Sequence, residues 1–360
     1  MSILAGSLAL TLAAAPAVAT RDTVPRVEVA FVLDTTGSMG GLIEGAKRRI
    51  WSVARRIGEG RPRPDLRLGL VAYRDRGDAY VTQVHDLTGD MDAVYRALMS
   101  FQADGGGDGP EHVSAALHDA VHRVSWSQGR GLKVIFLVGD APPHVDYQDG
   151  LDYRRHAREA AARGIVIETI QCGEDQATGA VWREIASLAT GHYARIDAQG
   201  GMPVRVTPVD AELARLNAEL SATVVAGGTV REQAEAATRL AARKAMPAPM
   251  AAEAASYYAG ARALADKDLV DLPAPEQKKE LDALRGRGSA PAALRGKTEA
   301  QALEYLRAQK GRRAELQARI ALLQGRRDAF LKHDGAGKDG FDEQVVSALR
   351  ERAEAAGVKF

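Results

Sequence analysis

The chain of 360 residues has room for two domains, or one with a long extension, at about 150 residues per domain. Its 46% hydrophobic and 26% charged residues exclude a disordered, collagen-like or multi-span membrane chain. A net charge of +1, 5% aromatics and the lone Cys172 likewise argue against nucleic-acid binding, stacking platforms, an internal disulfide and a multi-thiolate metal site.

Residues 2–19 read SILAGSLALTLAAAPAVA, an apolar run closing on Ala17, Val18 and Ala19 before Thr20. This small-x-small ending predicts a signal peptide over 1–19 and export to the periplasm or the medium. The run has no Lys or Arg near Met1, so a short membrane anchor and a plain disordered leader are the competing expectations.

From Arg26 onward, strand and helix patterns alternate. VEVAFVL (27–33) is the continuous apolar run of a buried parallel strand, and 42–57 carries apolar residues at helical spacing. LRLGLVAY (66–73) and AYVTQV (79–84) flank the turn RDRGD, which predicts a hairpin and one antiparallel strand pair. Helices are expected over 91–101, 112–124, 153–163 and 181–189, and strands over 132–138, 165–171 and 192–196. This order predicts an α/β fold, a doubly wound and mostly parallel sheet with one antiparallel edge strand and helices on both faces.

After Met202 the composition turns to Ala, Arg, Glu and Leu, which favour helix. Leu213, Leu216, Leu220 and Val224 form one apolar stripe expected to dock on the sheet domain. A helix is expected over 253–267, between KAMPAPMA and DLPAPEQ. Residues 297–332 and 341–356 are expected to pair as a helical hairpin or short coiled coil, which also offers a face for self-association. The expected organisation is a sheet domain over 26–224 and an α-helical appendage over 225–360.

Three loops carry the chemistry. The first strand ends in Asp34-Thr35-Thr36-Gly37-Ser38-Met39, at the sheet edge where open α/β folds bind ligands. A second loop at that edge is Gly105-Gly106-Gly107-Asp108-Gly109-Pro110-Glu111, and a third, Gly139-Asp140-Ala141-Pro142-Pro143-His144, follows the fourth strand pattern. Carboxylates and hydroxyls gathered at one edge are hard ligands suited to Mg²⁺ or Ca²⁺, and the acids would repel one another without a cation.

The first loop resembles the DxSxS motif of von Willebrand factor type A domains, with Asp34, Thr36 and Ser38 in the ligand positions and Thr for the middle Ser. The resemblance covers about 26–224 and is strengthened by the order of the three loops. It implies a metal-ion-dependent adhesion site, in which hydroxyls bind a cation and a partner protein's Glu or Asp supplies the last ligand. The second loop departs from the commonest pattern, which has Thr where this chain has Asp108. It is similar instead to the Asp-x-Pro-Glu variant of integrin β-subunit inserted domains, which implies a ligand role for Glu111. Asp140 matches the acid after the fourth strand. The implied set is Asp34, Thr36, Ser38, Asp108, Glu111 and Asp140, and the implied activity is binding rather than turnover.

Two readings compete. A scaffold protein would use the same oxygens only to cap the helix and satisfy the turn. A phosphohydrolase of the haloacid dehalogenase type would use Asp34 as nucleophile, with Lys133 and a second acid after Asp140, but Asp146 falls one residue beyond that spacing. The histidines show no zinc-site spacing, and His118 and His122 read as surface residues. Asp75 and Asp78 fit a hairpin turn at the rim of the site.

Overall fold

The computed structural model describes residues 24–107, 109–129, 131–198, 205–260, 263–333, 341–354 and 358–359. The predicted signal peptide, 1–19, and Asp108 lie outside the described residues.

The sheet portion runs β1 (Arg26–Asp34), α1 (Gly40–Gly58), β2 (Asp65–Tyr73), β3 (Thr82–Thr88), α2 (Met91–Ser100), α3 (Val113–His122), β4 (Leu132–Gly139), α4 (Tyr153–Ala162), β5 (Val166–Cys172), α5 (Gln176–Leu188) and β6 (Tyr193–Ile196). Helices follow as α6 (Asp210–Ala222), α7 (Val230–Lys244), α8 (Ala248–Ala259), α9 (Ala274–Gly286), α10 (Glu299–His333) and α11 (Phe341–Ala353). The strand order is β3-β2-β1-β4-β5-β6, and only β3 is antiparallel to its neighbour. The α/β doubly wound fold read from the sequence is therefore the fold that forms.

Burial on both faces explains the unbroken apolar runs. Along β1, Val27, Val29, Phe31 and Leu33 enter one core with α1 and α2, while Ala30 and Val32 enter a second with α3, α4 and α5. Chain order reverses around β1, with β2 on one side and β4 on the other. Such a switch point opens a crevice at the carboxyl ends of the strands.

Several boundaries differ from expectation. β3 begins at Thr82 rather than Ala79, because Arg74 N donates to Val81 O and the turn extends that far. As a half-exposed edge strand, β3 lacks the apolar run that marks the others. α5 starts early, at Gln176, where Asp175 caps it by accepting from Thr178 N at 2.6 Å. α8 starts after Pro247 and takes Pro249 into its first turn, where a missing N–H costs nothing.

The largest departure concerns 225–360. The expected hairpin of 297–332 with 341–356 gives way to two separate dockings: α10 lies along α6 and α8, and α11 lies on α1, β4 and β5. Phe341, Val345, Leu349 and Ala353 enter the same core as the sheet, with Phe341 at 5.8 Å from the Phe31 ring. α6 packs on α7, α8 and α10, and reaches the sheet core through α8 and α1 rather than by a broad contact of its own.

Candidate metal centre

Four sequence-predicted residues, Thr36, Ser38, Glu111 and Asp140, line one cleft of about 270 Å³ with Gly37, Gly105, Gly106, Gly109 and Ala141. Asp34 joins them through Thr36: the Thr36 backbone N–H and hydroxyl both donate to Asp34 Oδ1, at 2.9 and 2.6 Å. With its proton spent on Asp34, the Thr36 hydroxyl has lone pairs left for a ligand. Ser38 Oγ is 3.4 Å from Thr36 Oγ1, and Ser38 is exposed. Both hydroxyls sit where β1 gives way to the tight turn Gly37–Met39 that leads into α1.

Backbone pairing holds the loops in place. Gly37 N donates to Gly105 O, Asp104 N to Thr35 O, and Glu111 N to Pro142 O. Gly106, at φ +80°, lies against the site: a Cβ there would stand 3.1 Å from Thr36 Cβ and 3.2 Å from Glu111 Oε1. A Cβ on Gly139 would strike the Tyr73 hydroxyl and approach Asp34 Oδ2 to 3.2 Å. Both positions thus need glycine, for conformation at the first and for close approach at each.

The electrostatics are unbalanced. Asp34 and Glu111 are both buried, and Asp34 Oδ2, Glu111 Oε2 and Asp75 Oδ1 are buried without a hydrogen-bond partner. Burial, with Asp140 nearby, pushes the Asp34 carboxyl up to about 7 despite the two Thr36 hydrogen bonds and Arg74. Burial first, then repulsion from Asp34, Asp75, Asp78 and Asp140, pushes Glu111 up to about 9. Burial first, then Asp34, Glu111 and Asp140, push the Tyr73 phenol well above its ordinary range. The Arg74 charge offsets the Asp34 carboxylate only in part, and its guanidinium donates to Thr35 O at 3.1 Å and Gln102 O at 2.7 Å.

The sequence pattern sets Asp75 and Asp78 in a hairpin turn at the rim of the site. In the structure Asp78 Oδ2 accepts from Asp75 N and Gly106 N, holding the glycine loop, while Tyr147 Oη donates to Asp75 Oδ2 at 2.6 Å. Tyr147 stacks on His144, centroids 4.2 Å apart, which builds the rim. The missed signal was position: Asp75 follows the carboxyl end of β2, the same edge as Asp34. Lys133 pairs with Glu28 in register, near the starts of β4 and β1. Six residues at about 3.3 Å each separate Glu28 from Asp34, so Lys133 cannot serve a phosphoryl group there.

Residues 28–206 match the von Willebrand factor A domain profile. That span carries a von Willebrand factor A domain. Such domains often bind a divalent cation and often mediate protein interactions. This chain is 38% identical over 125 residues to von Willebrand factor A domain-containing protein 7 of Rattus norvegicus, covering 34% of this chain and 13% of that protein. It is 29% identical over 176 residues to Hemicentin-2 of Mus musculus, 48% of this chain and 3% of that protein. The matched segment is thus a small part of either relative. The solved structure of a von Willebrand factor type A protein from Catenulispora acidiphila is 19% identical, with a TM-score of 0.39 over 50% of this chain and 40% of that one.

Proposed function

We propose that the von Willebrand factor A domain of this chain binds one Mg²⁺ or Ca²⁺ in the cleft and, through that ion, an acidic side chain of a protein partner. The observation that carries this is the set of orphaned carboxylate oxygens, Asp34 Oδ2, Glu111 Oε2 and Asp75 Oδ1, beside two hydroxyls. Buried acids that raise one another's proton affinity are a source of instability unless a cation joins them. Their donors are all oxygen, which suits a hard ion and not zinc. At 270 Å³ and largely polar, the cleft is small for a cofactor and sufficient for an ion with a carboxylate.

In this reading Thr36, Ser38 and Glu111 hold the ion, Asp34 and Asp140 orient and neutralise from behind, and Asp108 joins from the adjacent loop. The bound ion would supply positive charge for a partner's Glu or Asp. Stacked His144 and Tyr147 would bound the surface around it, since they flank Asp75. Residues 1–19 would direct export, and outside the cell millimolar Ca²⁺ and Mg²⁺ keep such a site filled.

Calorimetric titration of Mg²⁺, Ca²⁺ and Mn²⁺ into chelator-treated protein tests the site. One equivalent should bind, and Asp34→Asn should abolish the heat while leaving the fold intact by circular dichroism. Absence of binding by all three ions overturns the proposal and favours a metal-independent scaffold.

A further inference from the structure

A second group of metal-capable side chains lies on the opposite side of the sheet from α11, where α3 packs on α4. His118 and His122 stand one turn apart on α3, and His156 and Glu159 are three residues apart on α4, so each pair presents one face of its helix. The two faces meet. His122 Nε2 and His156 Nδ1 each lie 2.8 Å from Glu159 Oε2, and the donor atoms of these three residues all fall within 4.8 Å of one another. The His118 ring closes the group, its centroid 5.1 Å from that of His122 and 5.2 Å from that of His156.

We propose that His122, His156 and Glu159 form a site for a borderline divalent transition ion of the Zn²⁺ class, clamping α3 to α4, with His118 beside the open coordination position. Three of the chain's eight histidines converge here, although their spacing in sequence shows no such pattern. Two imidazoles and a carboxylate are donors that zinc, cobalt and nickel accept and that Mg²⁺ and Ca²⁺ do not favour. Zinc–ligand distances of about 2.0–2.1 Å put tetrahedral ligands roughly 3.3 Å apart, so each imidazole nitrogen, now 2.8 Å from Glu159 Oε2, needs to move only slightly away from that oxygen. Each ring then moves its N–H to the other nitrogen and turns a lone pair to the ion.

The surroundings permit this. His156 is buried against Glu159, which fixes its ring beside the carboxylate. Arg155 Nη2 lies 3.4 Å from His156 Nε2 while donating to Gly150 O at 2.9 Å, and its Nε pairs with Glu159 Oε1 at 3.7 Å, so this half-exposed side chain must turn aside when the ion binds. Asp119 Oδ1 sits 3.1 Å from His118 Nδ1, the carboxylate–imidazole contact that orients a metal-facing ring. The group is distinct from the acidic cleft: Glu111 precedes α3, and His122 ends that helix about 15 Å further on at 1.5 Å per residue.

The test titrates Co²⁺ and Zn²⁺ into the full chain, without a polyhistidine tag, in saturating Mg²⁺ so that the acidic cleft does not contribute. One equivalent of Co²⁺ should bind with the intense visible absorption of tetrahedral coordination, and Zn²⁺ should displace it and raise the melting temperature. His122→Ala and Glu159→Gln, both at accessible positions, should each weaken binding by roughly tenfold or more, whereas Arg123→Ala should not. Absence of stoichiometric binding, or affinity unchanged in both His122→Ala and Glu159→Gln, would overturn the proposal and leave Glu159 as a hydrogen-bond acceptor only.

Discussion

Glu111 shows how a single residue can be poorly placed for stability and well placed for a ligand. Its folded carboxyl holds a proton up to about 9, whereas in the unfolded chain it releases it near 4.5. Asp34 behaves alike, at about 7 against 3.8. Between those limits the unfolded state binds fewer protons than the folded one, so stability without metal falls as pH rises. The slope is as much as about 1.4 kcal/mol per pH unit for each group. Denaturation of chelator-treated protein should show declining stability from pH 5 to pH 9, and Glu111→Gln should flatten the decline. Added Mg²⁺ should stabilise more at the higher pH, because the ion needs the ionised form. A metal-free stability that rises over this range would contradict the assignment of these burdened carboxylates. The motif residues themselves were legible in the sequence: Asp34, Thr36, Ser38 and Asp140 sit at the carboxyl ends of β1 and β4, and Glu111 stands in the glycine-rich loop between α2 and α3. The roles of Arg74, Asp75 and Tyr147 were not, because they depend on which loops meet across the edge.

At the scale of elements, the C-terminal helices are tied by buried ion pairs that obscure their amphipathic pattern. On α10, Arg313, Gln324 and Arg327 point inward with Leu306, Leu316, Ile320 and Leu323. Arg313 pairs with Asp268 at 2.6 Å, and Arg327 pairs with Asp210 on α6 at 2.7 Å and with Glu253 on α8 at 2.5 Å. Arg243 on α7 pairs with Asp92 on α2 at 2.5 Å and lies over the Tyr258 ring, joining the helical region to the sheet portion. A hydrophobic-stripe reading assigns arginine to solvent, which is why α10 reads as half of a helical hairpin or short coiled coil. Arg327→Met should destabilise by about 3–5 kcal/mol, because it leaves Asp210 and Glu253 buried without their cation. Adding Asp210→Asn and Glu253→Gln should recover most of that loss. Equal stability of the single variant and the wild type, by urea titration, would show that the pair is not load-sharing between α6, α8 and α10.

Across the whole molecule, one face of the sheet shares its hydrophobic core with α6, α8, α11 and the second half of α10, while α9 and the start of α10 pack in a separate cluster. The alternation of strand and helix patterns made the sheet legible, because each βα unit announces itself locally. The long-range placement of α11 had no local signal: its apolar positions fit a helix partner and a sheet face equally well. Val358 is buried, and Lys359 exchanges backbone hydrogen bonds with Arg61 at 2.7 and 2.9 Å, which fastens the end of the chain beside β2. A chain ended at His333 should therefore lose cooperative unfolding or melt far lower, since Phe31 and Phe136 lose their cover. A melting temperature equal to that of the full chain would restore the picture of an independent appendage.

The central claim, that the orphaned carboxylates and hydroxyls of the cleft hold one cation, is tested most directly by anomalous diffraction from crystals grown with Mn²⁺. The account predicts one strong peak among Thr36, Ser38 and Glu111, within bonding distance of their oxygens. An ordered cleft with no anomalous density at saturating Mn²⁺ would contradict it.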